Sequence, residues 1–274
     1  MDRVSVVEFQ KIVQGYYIEN GRHDLPWRLP ESDGSFDPYK IFVSEIMLQQ
    51  TQVGRVISKY MEFLEKFPDV QTLTKAELGE VLKVWNGLGY NRRAKYLWQA
   101  AQKIKSDFGN NFPTEIKHLE SLPGVGSNTA GAIMAYAFNK PEIFIETNIR
   151  TVYIHHFFKD KQEISDKEIR KLVEQTIDRQ NPRIWCWALM DYGTYLKQKV
   201  GNLSRISKTY TKQSKFVGSR RQIRGQVIRE LLENPKSVDS LGKTIADKRL
   251  ESVLEELVNE KLIRLTEVGY TLST

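Results

Sequence analysis

The segment 122–148 constrains this chain most, because it places a tight glycine turn, a helix of small residues and an acid next to one another. The turn reads Leu-Pro-Gly-Val-Gly at 122–126, and its two glycines permit positive φ and close approach of the backbone. Ser127, Asn128 or Thr129 is expected to cap the helix that follows. Such a helix start binds anions through main-chain N–H groups, so it suits a nucleic-acid phosphate. By itself, Gly-x-Gly also fits an ordinary helix start.

An acid follows this first helix. Small and apolar residues predict a closely packed helix over about 129–138, which Asn139-Lys140-Pro141 ends. The next helix is expected to start near Thr147 or Asn148. Glu146 would then lie at its N-terminus, near the floor of any cleft that the glycine turn borders. The alternative is that Glu146 only complements the helix dipole.

Apolar residues at three- and four-residue spacing predict helices along most of the chain. The predicted ranges are 5–20, 39–63, 73–84, 94–108, 117–122, 149–158, 165–179 and 184–195. On the 39–63 helix, Glu45 shares a stripe with Ile41, Leu48 and Gln52, which places a carboxylate in line with apolar residues. We expect such an acid to have a raised pKa. An exposed surface position is the alternative.

The positive charge of the chain is concentrated in one segment. The formal net charge is +7, and ten Lys and Arg residues lie between Tyr192 and Arg229 without an Asp or Glu, which leaves −3 for the remainder. We interpret this segment as a contact for a polyanion, with a solvated linker as the alternative. The single cysteine, Cys186, excludes an internal disulfide and a multi-cysteine metal site.

Two features of the sequence indicate where in the cell the protein is expected to be located. No apolar run approaches the length of about 18 residues that spans a membrane. The N-terminus has no secretory pattern. The protein is therefore expected to be cytoplasmic, and nucleoid-associated if bacterial.

A domain boundary is predicted at Phe216–Arg220. Beyond it, the patterns predict helices over 222–233, 238–247 and 249–260 and a hairpin over 261–273. Three helices followed by a hairpin predict a winged-helix-like DNA-binding module over 216–274.

Several motifs together resemble the MutY-type branch of the helix-hairpin-helix DNA glycosylases, in order and spacing over roughly residues 5 to 195. They are Leu25-Pro26-Trp27-Arg28, the segment Ser44–Val53, Trp85-Asn86-Gly87-Leu88-Gly89-Tyr90 with Arg92, Arg93 and Ala94, and the turn, helix and acid of 122–148. The resemblance implies a mainly α fold with a two-lobed core at 1–215. One lobe has six helices at about 25–137, and the second is formed by 1–24 and 138–215.

The resemblance also implies a chemistry. Cleavage of an N-glycosidic bond leaves positive charge on the sugar and negative charge on the base, and two carboxyl groups in different environments can serve both. Glu45 is then the acid that protonates the leaving base. Glu146 is the carboxylate that stabilises the sugar cation and helps to direct water or to form a transient covalent bond. Asn148 and Asn128 are supporting residues. The family mostly has Asp where this chain has Glu146. The extra methylene of Glu either displaces the carboxylate and lowers the rate of the reaction, or suits a slightly different backbone. Asn128 stands where bifunctional members carry a lysine nucleophile, so efficient strand cleavage is not expected.

Other residues are expected to contact DNA by the same resemblance. Gln50 resembles the residue that wedges into the base stack, and Tyr90 the tyrosine that inserts beside the opposite base. The expected DNA contacts are Arg28, Gln50, Thr51, Tyr90, Arg92, Arg93, Gly124, Val125, Gly126, Ser127, Thr129, Arg220, Arg221 and Arg224.

The chain departs from the family pattern after Tyr195. The family normally has four cysteines there for an iron–sulfur cluster, and the corresponding places hold Lys197, Ser204, Ser207 and Gln213. Such a cluster is held by thiolates, so no cofactor and no metal is expected. The larger C-terminal domain with which the family reads 8-oxoguanine is also expected to be missing.

The sequence therefore predicts a monofunctional DNA glycosylase of base excision repair, which flips and excises adenine mispaired with 8-oxoguanine or guanine. Its expected partner is double-stranded DNA with a mispair or lesion, bound by a monomer. One alternative is a glycosylase for thymine, uracil or hypoxanthine. Another is a non-catalytic DNA-damage binding protein, or a transcription regulator built on the winged helix.

Overall fold

The computed structural model describes residues 5–273, and the predicted domain limits at 1 and 274 lie outside this range. The helices in this range are α1 (Val6–Asn20), α2 (Pro38–Leu48), α3 (Val53–Lys66), α4 (Val70–Lys75), α5 (Leu78–Trp85), α6 (Arg92–Phe108), α7 (Ile116–Glu120), α8 (Ser127–Phe138), α9 (Thr147–Phe157), α10 (Asp166–Thr176), α11 (Pro182–Val200), α12 (Arg220–Glu230), α13 (Val238–Thr244) and α14 (Leu250–Asn259). Strands β1 (Ile263–Thr266) and β2 (Gly269–Leu272) pair antiparallel, with Ile263 opposite Leu272. The mainly helical class predicted from the sequence is confirmed.

The described chain forms two compact units. The first unit comprises the described part of Met1–Glu45 together with Thr114–Ser121 and Val125–Lys212. The second unit comprises Ile46–Pro113, Leu122–Gly124 and the described part of Gln213–Thr274. The predicted domain limits differ from these units and stay a prediction.

In the first unit, α11 packs against α9, α1 and α8. Aromatic rings fill the centre, where the ring of Phe9 lies 5.3 Å from that of Tyr153 and 5.9 Å from that of Trp185. The helix of small residues predicted before the acid is α8, and residues 130–137 are all buried. A Cβ at Gly131 would lie 3.0 Å from the Cβ of Phe144, so the small residue lets the segment before Glu146 pack closely on α8.

The predicted helix over 39–63 is wrong in its middle, because α2 ends at Leu48 and α3 begins at Val53. The guanidinium of Arg93 lies at this break. It donates to the carbonyl oxygens of Ile46 (2.9 Å), Met47 (2.8 Å) and Gln49 (2.6 Å), which are the acceptors that the end of α2 leaves open. A distant arginine therefore ends the helix, and the local apolar pattern does not contain this information.

Two other predicted helix limits are corrected. The range 73–84 contains two helices, because α4 ends at Lys75 and α5 begins at Leu78. Glu77 and Glu80 form a capping box at the start of α5, in which each accepts a backbone N–H of the other. The residue that caps α8 is Gly126, one position before the three predicted candidates, and no side chain caps this helix.

Residues beyond Gly218 form α12, α13, α14 and the β1–β2 hairpin, as predicted. They belong to the second unit, where the carboxylate of Glu260 accepts from both Arg92 of α6 and Arg224 of α12. The identification of this part as a winged helix stays a prediction. Within residues 5–273, every helix is too short or too polar to cross a membrane.

Candidate active site

Glu45 lies on α2 between the buried residues Ser44 and Ile46. Burial raises the pKa of the Glu45 carboxyl well above its ordinary value of 4.5, the nearby charge of Glu146 raises it further, and Arg28 opposes both effects. The raised pKa predicted from the sequence is confirmed. A carboxyl that keeps its proton to higher pH can donate that proton to a leaving group.

Glu146 is the residue before α9 and has an extended backbone, with φ of −85° and ψ of 168°. Its side chain makes no capping hydrogen bond to α9, so it is not used as an ordinary helix cap. Burial raises the pKa of the Glu146 carboxyl, but the positive charges of Lys197 and Arg150 lower it. The pKa of both carboxyls, called here the acid pair, is therefore raised, that of Glu45 the more, and two cations act on Glu146. This difference favours Glu45 as the proton donor and Glu146 as the carboxylate.

Asn128 holds the segment that leads to the acid pair. Its side-chain oxygen accepts from the backbone N–H of Ile145 at 3.1 Å, and its side-chain nitrogen donates to the carbonyl of the same residue at 3.3 Å. These paired hydrogen bonds fix the backbone next to Glu146. The residue that stands where bifunctional relatives have a lysine is therefore a structural link between α8 and the acid.

Asn148 is held by α11. Its side-chain nitrogen donates to the hydroxyl of Thr194 at 3.2 Å, and its side-chain oxygen accepts from the ammonium of Lys197 at 2.7 Å. A Cβ at Gly193 would lie 2.7 Å from the carbonyl carbon of Asn148, so α11 approaches α9 this closely only with glycine at 193. Asn148 was predicted from the sequence as a site residue, whereas Thr194 and Lys197 were missed.

Arg28 is buried, and both of its terminal nitrogens donate to the carboxylate of Asp191, at 2.8 and 2.9 Å. Asp191 also accepts from Arg22, and the Arg28 guanidinium lies 5.3 Å from the ring centre of Trp187. These contacts hold Arg28 inside the protein near Glu45. The DNA contact predicted for Arg28 stays a prediction. Asp191 was not predicted from the sequence as a site residue. An acid among the apolar residues of α11 does, however, indicate a buried ion pair.

Tyr136 was also missed. It lies on α8, its ring stacks on Trp187 with 5.8 Å between centres, and burial followed by the charge of Glu45 raises the pKa of its hydroxyl. The hydroxyl therefore stays protonated beside the acid pair.

The glycine turn has the conformation that its sequence requires. Gly124 has φ of +80°, and a Cβ there would lie 2.9 Å from the Cβ of Tyr96. Gly126, Ser127 and Asn128 are exposed, Val125 is buried and Thr129 lies partly exposed on the first turn of α8. With glycine as the cap, the first N–H groups of α8 have no side-chain capping bond, as an anion site needs.

In the second unit, Arg93 organises the residues predicted to read the base stack. It donates to the Thr51 hydroxyl at 2.9 Å and to the Gly89 carbonyl at 3.1 Å. Tyr90 and Gln50 both have positive φ, of 50° and 56°. Arg93 is thus used by the protein itself, and the phosphate contact predicted for it stays a prediction.

Tyr90 and Gln50 also contact the start of the C-terminal part. The guanidinium groups of Arg93 and Arg221 lie 5.4 and 5.3 Å from the centre of the Tyr90 ring, and the Tyr90 hydroxyl accepts from Arg221. Gln50 accepts from Gln213 at 3.0 Å. The segment 213–221 therefore holds Tyr90 and Gln50 in place.

The other predicted phosphate-binding arginines pair with acids. Arg220 and Arg224 contact Glu256, and Arg224 and Arg92 contact Glu260. Arg92 and Arg220 remain exposed enough to reach a ligand, with about half of each side chain open, at 54 and 42%. Exposed pairs of this kind are worth little and exchange readily for a phosphate.

The four places that correspond to cluster cysteines carry other contacts. Lys197 bonds to Asn148 and Gln213 to Gln50. The buried hydroxyl of Ser204 lies 3.1 Å from both the Thr147 carbonyl and the Thr151 hydroxyl, and Ser207 bonds to Thr209. An ammonium, two hydroxyls and an amide do not replace thiolates, so these residues do not fit an iron–sulfur cluster.

A family model described as HhH-GPD superfamily base excision DNA repair protein matches residues 43–179, a range that contains both members of the acid pair. The chain belongs to the HhH-GPD superfamily. An adenine DNA glycosylase of Buchnera aphidicola subsp. Baizongia pistaciae is 36% identical over 179 residues, which are 65% of this chain and 49% of that protein. The adenine DNA glycosylase of Homo sapiens is 34% identical over 199 residues, 70% of this chain and 36% of that protein.

Solved structures of DNA glycosylases are similar to about 70% of this chain. A thermostable thymine-DNA glycosylase has a TM-score of 0.59 at 26% identity, covering 69% of this chain and 85% of that one. A trapped endonuclease III–DNA covalent intermediate has a TM-score of 0.57 at 18% identity, covering 70% and 87%. The chain spans about half the length of the first two curated relatives, with 49 and 52% covered.

Proposed function

We propose that this protein is a monofunctional DNA glycosylase that excises mispaired adenine from double-stranded DNA in base excision repair. The observation that carries the proposal is the acid pair, in which the pKa of Glu45 is raised well above its ordinary value while two cations lower that of Glu146 against its burial. Membership of the HhH-GPD superfamily supports a glycosylase, and curated relatives at 33 to 39% identity named adenine DNA glycosylase support adenine as the base.

Two carboxyl groups and one amide have separate roles in the proposed reaction. Glu45 donates its proton to a ring nitrogen of the flipped adenine, and the electron pair of the C1′–N bond leaves with the base. The Glu146 carboxylate faces the positive charge that develops on the sugar. Water then adds to C1′ and gives up a proton to a carboxylate of the acid pair, and exchange with solvent restores the proton of Glu45, which completes hydrolysis. Asn128 offers an amide instead of an amine, so the sugar forms no imine there and the strand stays intact.

Different parts of the chain are proposed to contact the DNA backbone and the base stack. The uncapped start of α8 and the exposed arginines suit phosphates, which position a duplex without reading its sequence. Tyr90 and Gln50 are proposed to probe the stack beside the opposite base, and the chain is proposed to act as a monomer. The chain is also proposed to work without an iron–sulfur cluster, and iron analysis of the purified protein tests this point.

A panel of duplexes with single mispairs tests the function. Each duplex is incubated with excess protein, and released bases are identified by mass spectrometry, with an A·T duplex as the control. The expected result is release of adenine opposite 8-oxoguanine and guanine, without strand cleavage. Release of thymine, uracil or hypoxanthine instead would reassign the substrate. Tight binding to a mispair without release of any base would make the protein a binder.

A further inference from the structure

One charged side chain near the acid pair, Lys197, has no step of the proposed reaction assigned to it. The side chain of Lys197, on α11, is partly buried, and its ammonium donates to the side-chain oxygen of Asn148 at 2.7 Å. An ammonium can only donate, so this bond determines which end of the Asn148 amide is the oxygen. The other end fits the same orientation, because the Thr194 hydroxyl donates to the Met190 carbonyl at 2.9 Å and accepts from Asn148.

Lys197 differs from the other cation near Glu146. Arg150 is paired with Asp166 through two hydrogen bonds of 2.9 and 2.8 Å, so its charge is largely balanced. The ammonium of Lys197 instead bonds to a neutral amide, two residues after Glu146 in the chain. Its charge lowers the pKa of Glu146 more than that of Arg150 does. Burial lowers the pKa of Lys197, and the charge of Glu146 opposes this effect.

We propose that Lys197 is a positioning residue for the glycosylase reaction: its ammonium fixes the Asn148 amide and supplies the positive charge opposite the Glu146 carboxylate. This assignment rests on the proposed function. A buried carboxylate beside a second acid is costly to ionise, and a cation nearby offsets that cost. Lys197 stands at the first of the four places that correspond to the family's cluster cysteines, and in this chain its ammonium contacts Asn148.

The other groups around Glu146 do not supply the same charge. The titratable and charged groups that act on it or are acted on by it are Glu45 of α2, Tyr136 of α8, Arg150 of α9, and Cys186 and Lys197 of α11. Glu45 is an acid, and burial raises the pKa of both Tyr136 and Cys186, the latter to about 12, so these two are neutral. Among these groups of residues 5–273, loss of the Lys197 charge therefore leaves Arg150, which is paired with Asp166, as the cation that acts on Glu146.

Three substitutions separate the charge from the hydrogen bond. Lys197→Arg keeps both, Lys197→Gln keeps a donor without charge, and Lys197→Met keeps neither. Lys171→Met, at an exposed site on α10, is the matched loss of one charge. For each variant, single-turnover excision of adenine opposite 8-oxoguanine is measured against pH. The Glu146 carboxyl is followed by ¹³C NMR, with its signal assigned through Glu146→Gln.

An order among the variants is expected. Lys197→Met should slow excision by about 100-fold, on the scale of a misplaced reacting group. It should also move the acid limb of the pH profile and the Glu146 titration to higher pH. Lys197→Gln should move the titration with a smaller loss of rate, and Lys197→Arg and Lys171→Met should stay within about 3-fold of the parent. A purely structural role would lower the rate equally at every pH.

Two results would overturn the proposal. One is an unchanged Glu146 titration in both Lys197→Met and Lys197→Gln. The other is a borohydride-trapped DNA adduct on Lys197, which would make it a nucleophile. If the parent released no base but the titration moved as expected, the proposed function would fail while the placement of the charge stood.

Discussion

Glu45 and Glu146 are the same residue type, and their neighbours make them chemically different. Burial and the charge of Glu146 raise the pKa of Glu45 against the opposing charge of Arg28, whereas Lys197 and Arg150 lower the pKa of Glu146 against its burial. Two carboxyl groups whose pKa values are pushed apart can act as acid and as carboxylate at one pH. The protein accepts a cost in stability for this arrangement, because an unpaired buried acid opposes folding once it ionises.

Glu45→Gln is expected to stabilise the protein at pH 8 more than at pH 5. The folded-state pKa of Glu45 is raised above the ordinary 4.5, so the folded state holds the proton more tightly and loses stability as pH rises from about 4.5 through the raised pKa. Each unit by which the folded-state pKa is raised corresponds to about 1.4 kcal/mol in the free energy of unfolding. Urea unfolding at both pH values measures the effect. Glu120→Gln, at an exposed site, is the control, and an equal gain at both pH values would contradict this expectation.

At the scale of elements, one buried arginine organises a whole loop. Arg93 joins the end of α2, the 49–52 loop and the turn before α6 through donations to carbonyl oxygens and to Thr51. This loop carries Gln50, and the turn carries Tyr90. The position of both residues therefore depends on a guanidinium that has five N–H donors in a fixed plane.

Arg93→Lys is expected to destabilise the protein by about 3 kcal/mol, because an ammonium cannot satisfy the same carbonyl oxygens. The neighbouring Arg92→Lys is the matched control, since Arg92 is exposed and pairs with Glu260, and its expected cost is under about 1 kcal/mol. Denaturant unfolding of both variants measures the difference. Equal costs would show that the loop does not depend on Arg93.

A second prediction at the scale of elements concerns three arginines of α12. Replacing Arg220, Arg221 and Arg224 with Ala should flatten the dependence of log affinity on log salt by about 0.9 for each phosphate that is no longer neutralised. A control with Lys11, Lys167 and Lys171 replaced by Ala removes the same charge from exposed sites in the first unit. Binding is measured on a mispaired duplex at several salt concentrations. If both triple variants changed the slope equally, the effect would belong to net charge alone.

The sequence predicts α1, α6, α10 and the C-terminal helices because their apolar periodicity is local. The break at 49–52 was not predictable, because the Arg93 guanidinium that causes it comes from a residue far along the chain. The gap between α4 and α5 was predictable in principle, since Glu77 and Glu80 have capping-box spacing.

For the whole molecule, the acid pair was reached through the resemblance together with the pattern of α2. Asp191, Tyr136 and Lys197 were missed, because their roles depend on which helices meet. Lys197 was counted within a basic segment, although the structure directs its ammonium to Asn148. Charge runs describe a surface on average and do not show which single side chain turns inward.

Excision of mispaired adenine is proposed to depend on Glu45 as the acid. Single-turnover excision and binding on one duplex, with adenine opposite 8-oxoguanine, test it directly with the parent and Glu45→Gln. We predict excision by the parent, unchanged binding by the variant, and loss of excision by at least about 100-fold, because an amide has no proton of suitable acidity to give. Excision by Glu45→Gln within a few-fold of the parent, or no excision of adenine by the parent, would contradict the claim.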